Sequence, residues 1–253
     1  MPVRLAVGEG AFTGSGFLFD KDGTLVSFDH WLAVMGERAR RLAGELELAE
    51  PEHQMLRRFM GLDRDRPGPT RGTILHLPRC DVEDAVALYL ASRRSGDLGA
   101  TRDLVGRVFR EVDEEFPFER HLRPTAGAEE GLRAIHRAGG KTAIVTHDTA
   151  SAARRHLAAL GWEDLVSVVV GLDVCEKRKP DPESVLMACD ALGVPPEETV
   201  MVGDTVTDLL AGRAAGCGGT IAVLTGLGTE EELAPYADLV VPDLTSISWA
   251  RAA

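Results

Sequence analysis

A short apolar run near the start of the chain constrains the fold more than any other feature. Residues 16–19 read Gly-Phe-Leu-Phe and lead into an acidic loop that contains glycine, Asp20-Lys-Asp-Gly-Thr24. A short apolar run that is followed by turn residues is typical of a buried strand. A strand needs partners, and no second strand pattern occurs before about residue 140. We therefore expect this strand to pair with strands from the C-terminal half of the chain.

From Pro124 onward, patterns typical of helices and strands alternate along the chain. Helices are predicted over 128–137, 151–160, 183–192 and 206–215, and strands over 142–146, 165–170, 199–202, 220–224 and 237–241. Continuous apolar strands that alternate with helices form a parallel sheet that is covered on both faces. The predicted fold class is therefore α/β, with a mostly parallel sheet that includes residues 16–19.

The segment between the first strand and this alternating region has a different pattern. From about residue 29 to 116, apolar residues recur at helical spacing, and no convincing strand interrupts them. The segment is therefore an insertion between strands of one sheet. We predict a core domain of residues 1–27 and 120–253 and an α-helical cap domain of residues 28–119.

The composition limits the classes of partner and the cellular compartment. With a formal net charge of -12, the chain lacks the basic surface that sequence-independent binding to nucleic acids or anionic membranes requires. Its four cysteines lie far apart, which favours reduced thiols in a cytosol over disulfides or a zinc site. Neither a signal-peptide core nor an apolar run of about 18 residues occurs. We expect a soluble cytoplasmic protein without nucleic acid or membrane partners.

Polar side chains gather where the predicted strands end. In parallel α/β sheets, ligands bind beyond the carboxyl ends of the strands. The side chains that follow such ends, or begin a helix in the same region, are Asp20, Asp22, Thr146, Lys179, Asp204 and Asp208. They are widely separated in sequence, so the fold is expected to bring them to one edge of the sheet.

These side chains predict a magnesium site and nucleophilic chemistry at phosphorus. Clustered carboxylates repel one another and take up protons unless a cation lies among them, and magnesium prefers such oxygen ligands. With magnesium bound, Asp20 can stay ionised and attack a phosphoryl group. Thr146 and Lys179 can offer a hydrogen bond and a positive charge to the phosphoryl oxygens. Asp22 can give a proton to the leaving alcohol and later take one from water.

Four ordered motifs connect the sequence to a known family. They are Asp20-Lys-Asp-Gly-Thr-Leu25, Thr146 at a strand end, Lys179-Pro-Asp-Pro182 and Gly203-Asp204-x-x-x-Asp208. Together they resemble the motifs of the haloacid dehalogenase-like superfamily. The helical insertion after the first motif resembles the cap of its phosphoglycolate phosphatase-like branch. The resemblance extends from about Gly16 to Leu244 and implies a Rossmann-like core with an inserted α-helical cap domain.

The resemblance implies a catalytic role for each matching residue. Asp20 is expected to be the nucleophile that forms an aspartyl-phosphate, and Asp22 the general acid and base. Thr146 and Lys179 are expected to bind the phosphoryl group; Lys177 lies nearby, but Lys179 directly precedes Pro-Asp-Pro. The dehalogenases of the superfamily lack an acid at the position of Asp22, and its cation-pumping ATPases carry threonine there. Asp22 therefore favours a phosphatase or a phosphomutase.

The resemblance also implies a set of magnesium ligands. The expected ligands are the side chain of Asp20, the backbone carbonyl of Asp22 and the carboxylate of Asp204. Asp208 is expected to contribute directly or through a water molecule. No other cofactor is implied.

Three further residues are candidates for substrate binding. His147 follows the second-motif threonine, where members of this branch often have asparagine. Arg66 and Arg71 lie in a loop of the predicted cap that is rich in glycine, proline and arginine. Arginines in such a loop can clamp a substrate carboxylate or a second phosphate, or they can simply lie in solvent.

We therefore expect a magnesium-dependent phosphatase that hydrolyses a small phosphomonoester, such as phosphoglycolate or a sugar phosphate, through an aspartyl-phosphate. The cap is expected to close over this small phosphorylated metabolite and exclude bulk water, so that specificity lies on the cap. Two alternatives stay open: a phosphomutase that resembles β-phosphoglucomutase, and a non-catalytic protein that binds a phosphorylated ligand. The sequence specifies neither the substrate nor the oligomeric state.

Overall fold

A computed structural model describes residues 2–8, 10–62, 77, 79–94 and 96–252. The chain divides into two compact units. One consists of Met1–Ser27 together with Leu122–Ala253, and the other of Phe28–His121. All strands among the described residues belong to the first unit.

The strands of the described residues form two sheets. They are β1 (Val3–Val7), β2 (Gly10–Gly14), β3 (Gly16–Phe19), β4 (Lys141–Val145), β5 (Val168–Val170), β6 (Thr199–Gly203), β7 (Gly219–Val223), β8 (Leu239–Val241) and β9 (Ser248–Arg251). One sheet has six strands in the order β5-β4-β3-β6-β7-β8, and the other has three in the order β2-β1-β9.

The six-stranded sheet is parallel throughout, and the first predicted strand, β3, lies inside it. Leu18 of β3 is paired with Ala143 of β4 on one side and with Met201 of β6 on the other. Every residue of β3, β6 and β7 is buried, as expected for strands that are covered on both faces. The prediction of an α/β fold with a mostly parallel sheet is confirmed, and β3 finds its partners beyond residue 140.

Helices separate the strands of this sheet and also build the second unit. The α-helices are α1 (Asp29–Glu45), α2 (Glu50–Phe59), α3 (Arg79–Arg94), α4 (Leu98–Glu115), α5 (Ala128–Ala138), α6 (Ala150–Leu160), α7 (Glu183–Leu192), α8 (Val206–Ala215) and α9 (Glu230–Leu233), with 3-10 turns at Phe118–His121, Pro196–Glu198 and Leu244–Ser246. Helices α7 and α8 end at Gly193 (φ 61°) and Gly216 (φ 80°), where the left-handed backbone reverses the chain. Among the described residues, no helix combines the length and the apolar character needed to cross a bilayer.

The two faces of β3 are buried by different elements. Leu18 belongs to a buried cluster with Val185 of α7 and Ala211 of α8. Phe17, which points to the opposite face, contacts the ring of Trp249 in β9 edge to face, with 5.4 Å between ring centroids. Each large apolar side chain that is fully buried in this way contributes about 1.5–3 kcal/mol of burial free energy. The sheet therefore forms a rigid base for the residues at its edge.

The three-stranded sheet was not predicted from the sequence. In it, β1 pairs antiparallel with β2 and with β9, so that Val3 lies opposite both Gly14 and Arg251. None of these strands is a continuous apolar run, because Arg4 interrupts β1, β2 begins and ends in glycine, and β9 begins with Ser248 and ends with Arg251. The sheet joins the two ends of the described chain, and its residue Trp249 covers β3.

The second unit packs helices around its own apolar core. Its buried side chains include Met35 and Leu42 of α1, Leu56 of α2 and Phe109 of α4. The guanidinium of Arg38 is buried there, 4.2 Å from the ring centroid of Phe109, and it donates to Asp113. In residues 28–62, 77, 79–94 and 96–121 the structure contains no strand. The predicted substrate ligands Arg66 and Arg71 lie outside the described residues.

Candidate active site

Three parallel strands end in residues of the predicted site. Asp20 follows β3, Thr146 follows β4 and Asp204 follows β6. The N–H of Asp20 donates to the carbonyl of Val202 at 2.9 Å, and the N–H of Thr146 donates to the carbonyl of Val170 at 3.0 Å. Both residues thus continue the ladder of the sheet beyond the strand ends. The structure therefore places Asp20, Thr146 and Asp204 at the carboxyl edge of the sheet.

Lys179 connects two of the aspartates at this edge. Its Nζ atom lies 2.7 Å from Oδ1 of Asp20 and 2.6 Å from Oδ1 of Asp208. A further hydrogen bond reaches the carbonyl oxygen of Val145, at 2.8 Å. A lysine ammonium has three N–H donors, so all of them are used. Lys179 is consequently held in a fixed position beside the carboxylate of Asp20.

The two lysines near the third motif lie in different environments. The side chain of Lys177 is 66% exposed, and its Nζ atom lies 3.3 Å from Asp181. The side chain of Lys179 is only 2% exposed. Burial acts to lower the pKa of Lys179, but the charges of Asp20 and Asp208 raise it above its ordinary value. Lys179 therefore carries a buried positive charge.

Three carboxylates form a compact buried cluster. One oxygen each of Asp20, Asp204 and Asp208 lies within 4.8 Å of the others. Burial raises the pKa of Asp20 to about 7; Lys179 opposes this shift, and the neighbouring carboxylates add to it. Burial, together with the charges of Asp20 and Asp208, also raises the pKa of Asp204 well above its usual range. A single lysine thus leaves these carboxylates short of positive charge.

The cluster fits a magnesium ion. Magnesium takes hard oxygen ligands, and carboxylates that would otherwise take up protons are stabilised in their ionised form by such a cation. Asp20, Asp204 and Asp208 offer oxygens close enough to one another to share an ion. The same three side chains are the ligands expected from the sequence motifs.

Asp204 is fixed by residues to which the sequence analysis gave no role. Its Oδ1 accepts a hydrogen bond from the hydroxyl of Thr24 at 3.3 Å, and its Oδ2 accepts from the N–H of Leu227 at 2.8 Å. A Cβ atom on Gly226 would overlap the carboxylate of Asp204, so only glycine allows this approach. Residues 225–228 follow β7, and the rule that ligands bind beyond strand ends could have identified them.

Asp208 has a structural function as well as a place in the cluster. It lies in the first turn of α8, where its Oδ2 accepts from the N–H of Thr205 at 3.0 Å and from the Thr205 hydroxyl at 2.5 Å. This is the capping-box arrangement, which satisfies free N–H groups at the start of a helix. The other oxygen of Asp208 receives the bond from Lys179. The capping box at the start of α8 therefore orients Asp208 toward the cluster.

Asp22 has a buried lysine of its own. The Nζ atom of Lys21 lies 2.7 Å from Oδ1 of Asp22, 3.1 Å from Nδ1 of His156 and 3.4 Å from Oδ2 of Asp148. Burial acts to lower the pKa of Lys21, but the carboxylates of Asp22 and Asp148 raise it above its ordinary value. Lys21, Asp148 and His156 have no role that was predicted from the sequence, and no motif connects them.

Thr146 and His147 follow β4 directly. Thr146 is buried, and its hydroxyl accepts a hydrogen bond from the N–H of Asp148 at 3.1 Å. Burial and the positive charge of Lys179 lower the pKa of His147 to about 4, so its ring is neutral at neutral pH. The buried Nε2 atom of His147 has no hydrogen-bond partner among the described residues.

Comparisons with known sequences agree on one family. The family model for haloacid dehalogenase-like hydrolases matches residues 15–216. A plasmid-encoded phosphoglycolate phosphatase of Cupriavidus necator is 33% identical over 202 residues, which cover 79% of this chain and 76% of that protein. The pyrophosphatase PpaX of Halalkalibacterium halodurans is 40% identical over 95 residues, which cover 38% of this chain and 44% of that protein. The chain spans less than half the length of several such curated relatives.

A solved structure shares the fold over most of its length. The β-phosphoglucomutase of Clostridium difficile matches with a TM-score of 0.59 and 19% identity, covering 91% of this chain and 91% of that one. At this level of identity the likeness concerns the fold alone.

Proposed function

Because the chain belongs to the haloacid dehalogenase-like hydrolase family, we propose that it is a magnesium-dependent phosphatase that acts through an aspartyl-phosphate on Asp20. The resemblance that the four motifs indicated is confirmed by the family match. The substrate that we propose is a small phosphomonoester. The phosphatases among its relatives make phosphoglycolate the first ester to test.

The observation that carries this proposal is the buried charge cluster at the carboxyl edge of the sheet. Asp20 is 8% exposed, its carboxylate accepts a hydrogen bond from Lys179, and it lies close to the carboxylates of Asp204 and Asp208. A carboxylate acts as a nucleophile when it is ionised and oriented. Lys179 provides the orientation, because it holds Oδ1 of Asp20 at 2.7 Å.

Magnesium fits the same cluster, with Asp20, Asp204 and Asp208 as the side chains that would hold it. The backbone carbonyl of Asp22 is the fourth ligand that we propose. When bound, the ion supplies positive charge that keeps the carboxylates ionised and draws electron density from the phosphoryl oxygens. Thr24 and the N–H of Leu227 keep Asp204 in place for this purpose.

The protein's own residues divide the chemistry between them. A carboxylate oxygen of Asp20 attacks phosphorus and forms the aspartyl-phosphate as the bond to the leaving oxygen breaks. Asp22 gives a proton to that leaving oxygen, and later takes one from the water that attacks the aspartyl-phosphate. The positive charge of Lys179 stabilises the phosphoryl oxygens while negative charge builds up on them, and the hydroxyl of Thr146 donates a hydrogen bond to one of them. As the water oxygen bonds to phosphorus, the bond from phosphorus to the Asp20 carboxylate breaks, so inorganic phosphate leaves and Asp20 is regenerated.

Three residues are our candidates for contacts with the rest of the substrate. His147 has a buried Nε2 atom that is unpaired among the described residues, and it follows Thr146 directly. Its neutral ring can donate or accept one hydrogen bond. Arg66 and Arg71 are proposed from the sequence alone. They would bind a carboxylate or a second phosphate of the substrate.

The test is the release of phosphate from a panel of phosphoesters that includes phosphoglycolate, sugar phosphates and pyrophosphate. Each ester is assayed with magnesium and with EDTA, using the wild-type protein and Asp20→Asn. Asp190→Asn is a matched control, because Asp190 is exposed on α7. We expect magnesium-dependent release by the wild type and by the control, and none by Asp20→Asn, because an amide cannot form the phosphoenzyme.

The outcomes separate the proposed function from its rivals. Release that persists in Asp20→Asn would contradict the role of Asp20 as nucleophile. An isomeric sugar phosphate in place of free phosphate would identify a phosphomutase. Binding of phosphoesters without turnover of any of them would favour a non-catalytic protein.

A further inference from the structure

The loop after β3 contains a buried charge that the proposed chemistry does not use. Lys21 stands between Asp20 and Asp22, and its side chain is 1% exposed. Its carbonyl oxygen accepts hydrogen bonds from the N–H groups of Leu25 and Val26, at 3.0 and 2.9 Å. The backbone of Lys21 is therefore fixed, and its side chain extends from a closed turn.

Two residues outside this loop anchor the ammonium of Lys21. Nδ1 of His156, on α6, lies 3.1 Å from it, and Oδ2 of Asp148 lies 3.4 Å from it. An ammonium can only donate, so Nδ1 of His156 accepts this hydrogen bond. Together with the 2.7 Å bond to Asp22, the ammonium has three partners in different parts of the unit. Its position is set by the fold and not by Asp22 alone.

Packing alone does not require a lysine here. Removing a charge from water is unfavourable, and apolar residues of similar volume often replace buried ion pairs without loss of stability. The phosphoryl group already has a buried cation in Lys179, which bonds Asp20 and Asp208. The bond of Lys21 is made to Asp22 instead. We therefore look for the role of Lys21 in the proton transfers of Asp22.

We propose that Lys21 is a positioning residue for the general acid and base. Its ammonium holds Oδ1 of Asp22 and fixes the plane of that carboxylate, with Asp148 and His156 as anchors. The inference rests on the proposed function, because it concerns the proton that Asp22 exchanges with the leaving oxygen and with water. Proton transfer needs donor and acceptor at hydrogen-bond distance, so an Asp22 that rotates freely transfers the proton less often.

The variant that tests this is Lys21→Met, assayed on two kinds of ester. An alkyl phosphate has a poor leaving group that needs the proton, whereas p-nitrophenyl phosphate has a good one that does not. The ratio kcat/KM reports the steps up to formation of the phosphoenzyme. We expect it to fall for the alkyl ester by on the order of 10- to 100-fold. For the aryl ester we expect a much smaller loss.

A double-mutant cycle distinguishes positioning from general damage. If Lys21 acts through Asp22, Lys21→Met should cost little more once Asp22→Asn is present, because the group it positions is already absent. Independent losses that multiply would overturn the proposal. Lys177→Met is the matched control, since it removes an exposed lysine from the same unit, and we expect it to behave like the wild type.

A second variant keeps the test decisive if Lys21→Met does not fold. The side chain of Asp148 is 31% exposed, so Asp148→Asn should preserve the fold while it weakens one anchor. We expect a smaller loss with the same selectivity for the alkyl ester. No loss, or an equal loss on both esters, would overturn the inference even if the wild type is a phosphatase. Absence of turnover in the wild type would instead overturn the proposed function, and this inference with it.

Discussion

The two buried lysines of the α/β unit have similar surroundings but different partners. Lys179 bonds Asp20 and Asp208, which are two of the three clustered carboxylates. Lys21 bonds Asp22, and its other partners, Asp148 and His156, lie outside that cluster. Both lysines are almost fully buried, with side chains 2% and 1% exposed. The two lysines therefore differ in the aspartate of the first motif that they bond, which is Asp20 for Lys179 and Asp22 for Lys21.

This difference separates two acids that are only two positions apart in the sequence. Asp20 shares its lysine with Asp208, and burial, with the charges of the neighbouring carboxylates, raises its pKa to about 7. Asp22 is paired with Lys21, whose other partners are His156 and Asp148. Pairs of titratable groups in distinct environments are typical of sites where one group is the nucleophile and the other exchanges protons. We infer that the two lysines keep these roles apart.

Replacing Asp22, the aspartate that Lys21 bonds, should give the largest loss of activity. In Asp22→Asn the leaving oxygen receives no proton, so kcat/KM for alkyl phosphates should fall by on the order of 100- to 10,000-fold. For aryl phosphates, kcat/KM should fall far less. The measurement is a series of esters of graded leaving-group pKa. Equal losses across the series would mean that Asp22 is not the acid.

Replacing Lys179 should affect every ester alike. Lys179→Met removes a charge that stabilises the phosphoryl group, so kcat should fall by roughly 100- to 1,000-fold whatever the leaving group. It also leaves Asp20 and Asp208 buried without their partner, which should lower the free energy of unfolding by about 3–5 kcal/mol. Urea unfolding in EDTA measures the second effect. A loss confined to alkyl phosphates would reverse the assignment of the two lysines.

The pKa of Asp20 predicts how stability depends on pH in the absence of metal. Its pKa is raised from 3.8 to about 7, so the folded protein favours the protonated form. The contribution of Asp20 to the free energy of unfolding is complete below about pH 4 and is lost as the pH rises through about 7. The loss is on the order of 1.4 kcal/mol for each unit of the shift.

The share of this dependence that comes from Asp20 should disappear when Asp20 cannot titrate, whereas Asp204, whose pKa burial also raises, still contributes. Unfolding free energies in EDTA, measured for the wild type and for Asp20→Asn, isolate the contribution of Asp20 as the difference between the two. Magnesium should stabilise the wild type more at pH 7.5 than at pH 5, because it binds the ionised carboxylate. A magnesium effect that is independent of pH would contradict a site built from Asp20.

The smallest effect is expected at Lys177. Its side chain is 66% exposed and is paired with Asp181, and exposed ion pairs contribute little to stability. Lys177→Met should therefore leave turnover and unfolding close to those of the wild type. Losses comparable to those of Lys179→Met would show that the third motif had been read from the wrong lysine.

The sequence predicted the parallel sheet well because its signal is local. Each core strand is a short apolar run, and each is followed by its own turn residues, as in residues 16–19. The strands β1, β2 and β9 escaped prediction because none of them is a continuous apolar run, and because β9 lies at the opposite end of the described chain from β1, with which it pairs. Their pairing depends on contacts that no local pattern encodes.

The site shows the same division between local and distant signals. Asp20, Asp204 and Asp208 were identified from their positions after strands and in motifs. The partners of Lys21 were not, because Asp148 and His156 approach it only after the fold has formed. Thr24 lay within a motif, but its bond to Asp204 spans 180 positions. A sequence pattern does not predict which side chains from distant elements will contact one another.

The central claim is that Asp20 becomes phosphorylated during turnover, and acid quenching tests it most directly. The protein is mixed with magnesium and a phosphoester that it hydrolyses, quenched in acid and digested for mass spectrometry. We predict one added phosphoryl group on the peptide that contains Asp20, lost when the reaction is left to finish before quenching, and absent in Asp20→Asn. A phosphoryl group on another residue, or turnover with no phosphoenzyme in the first cycle, would contradict the account.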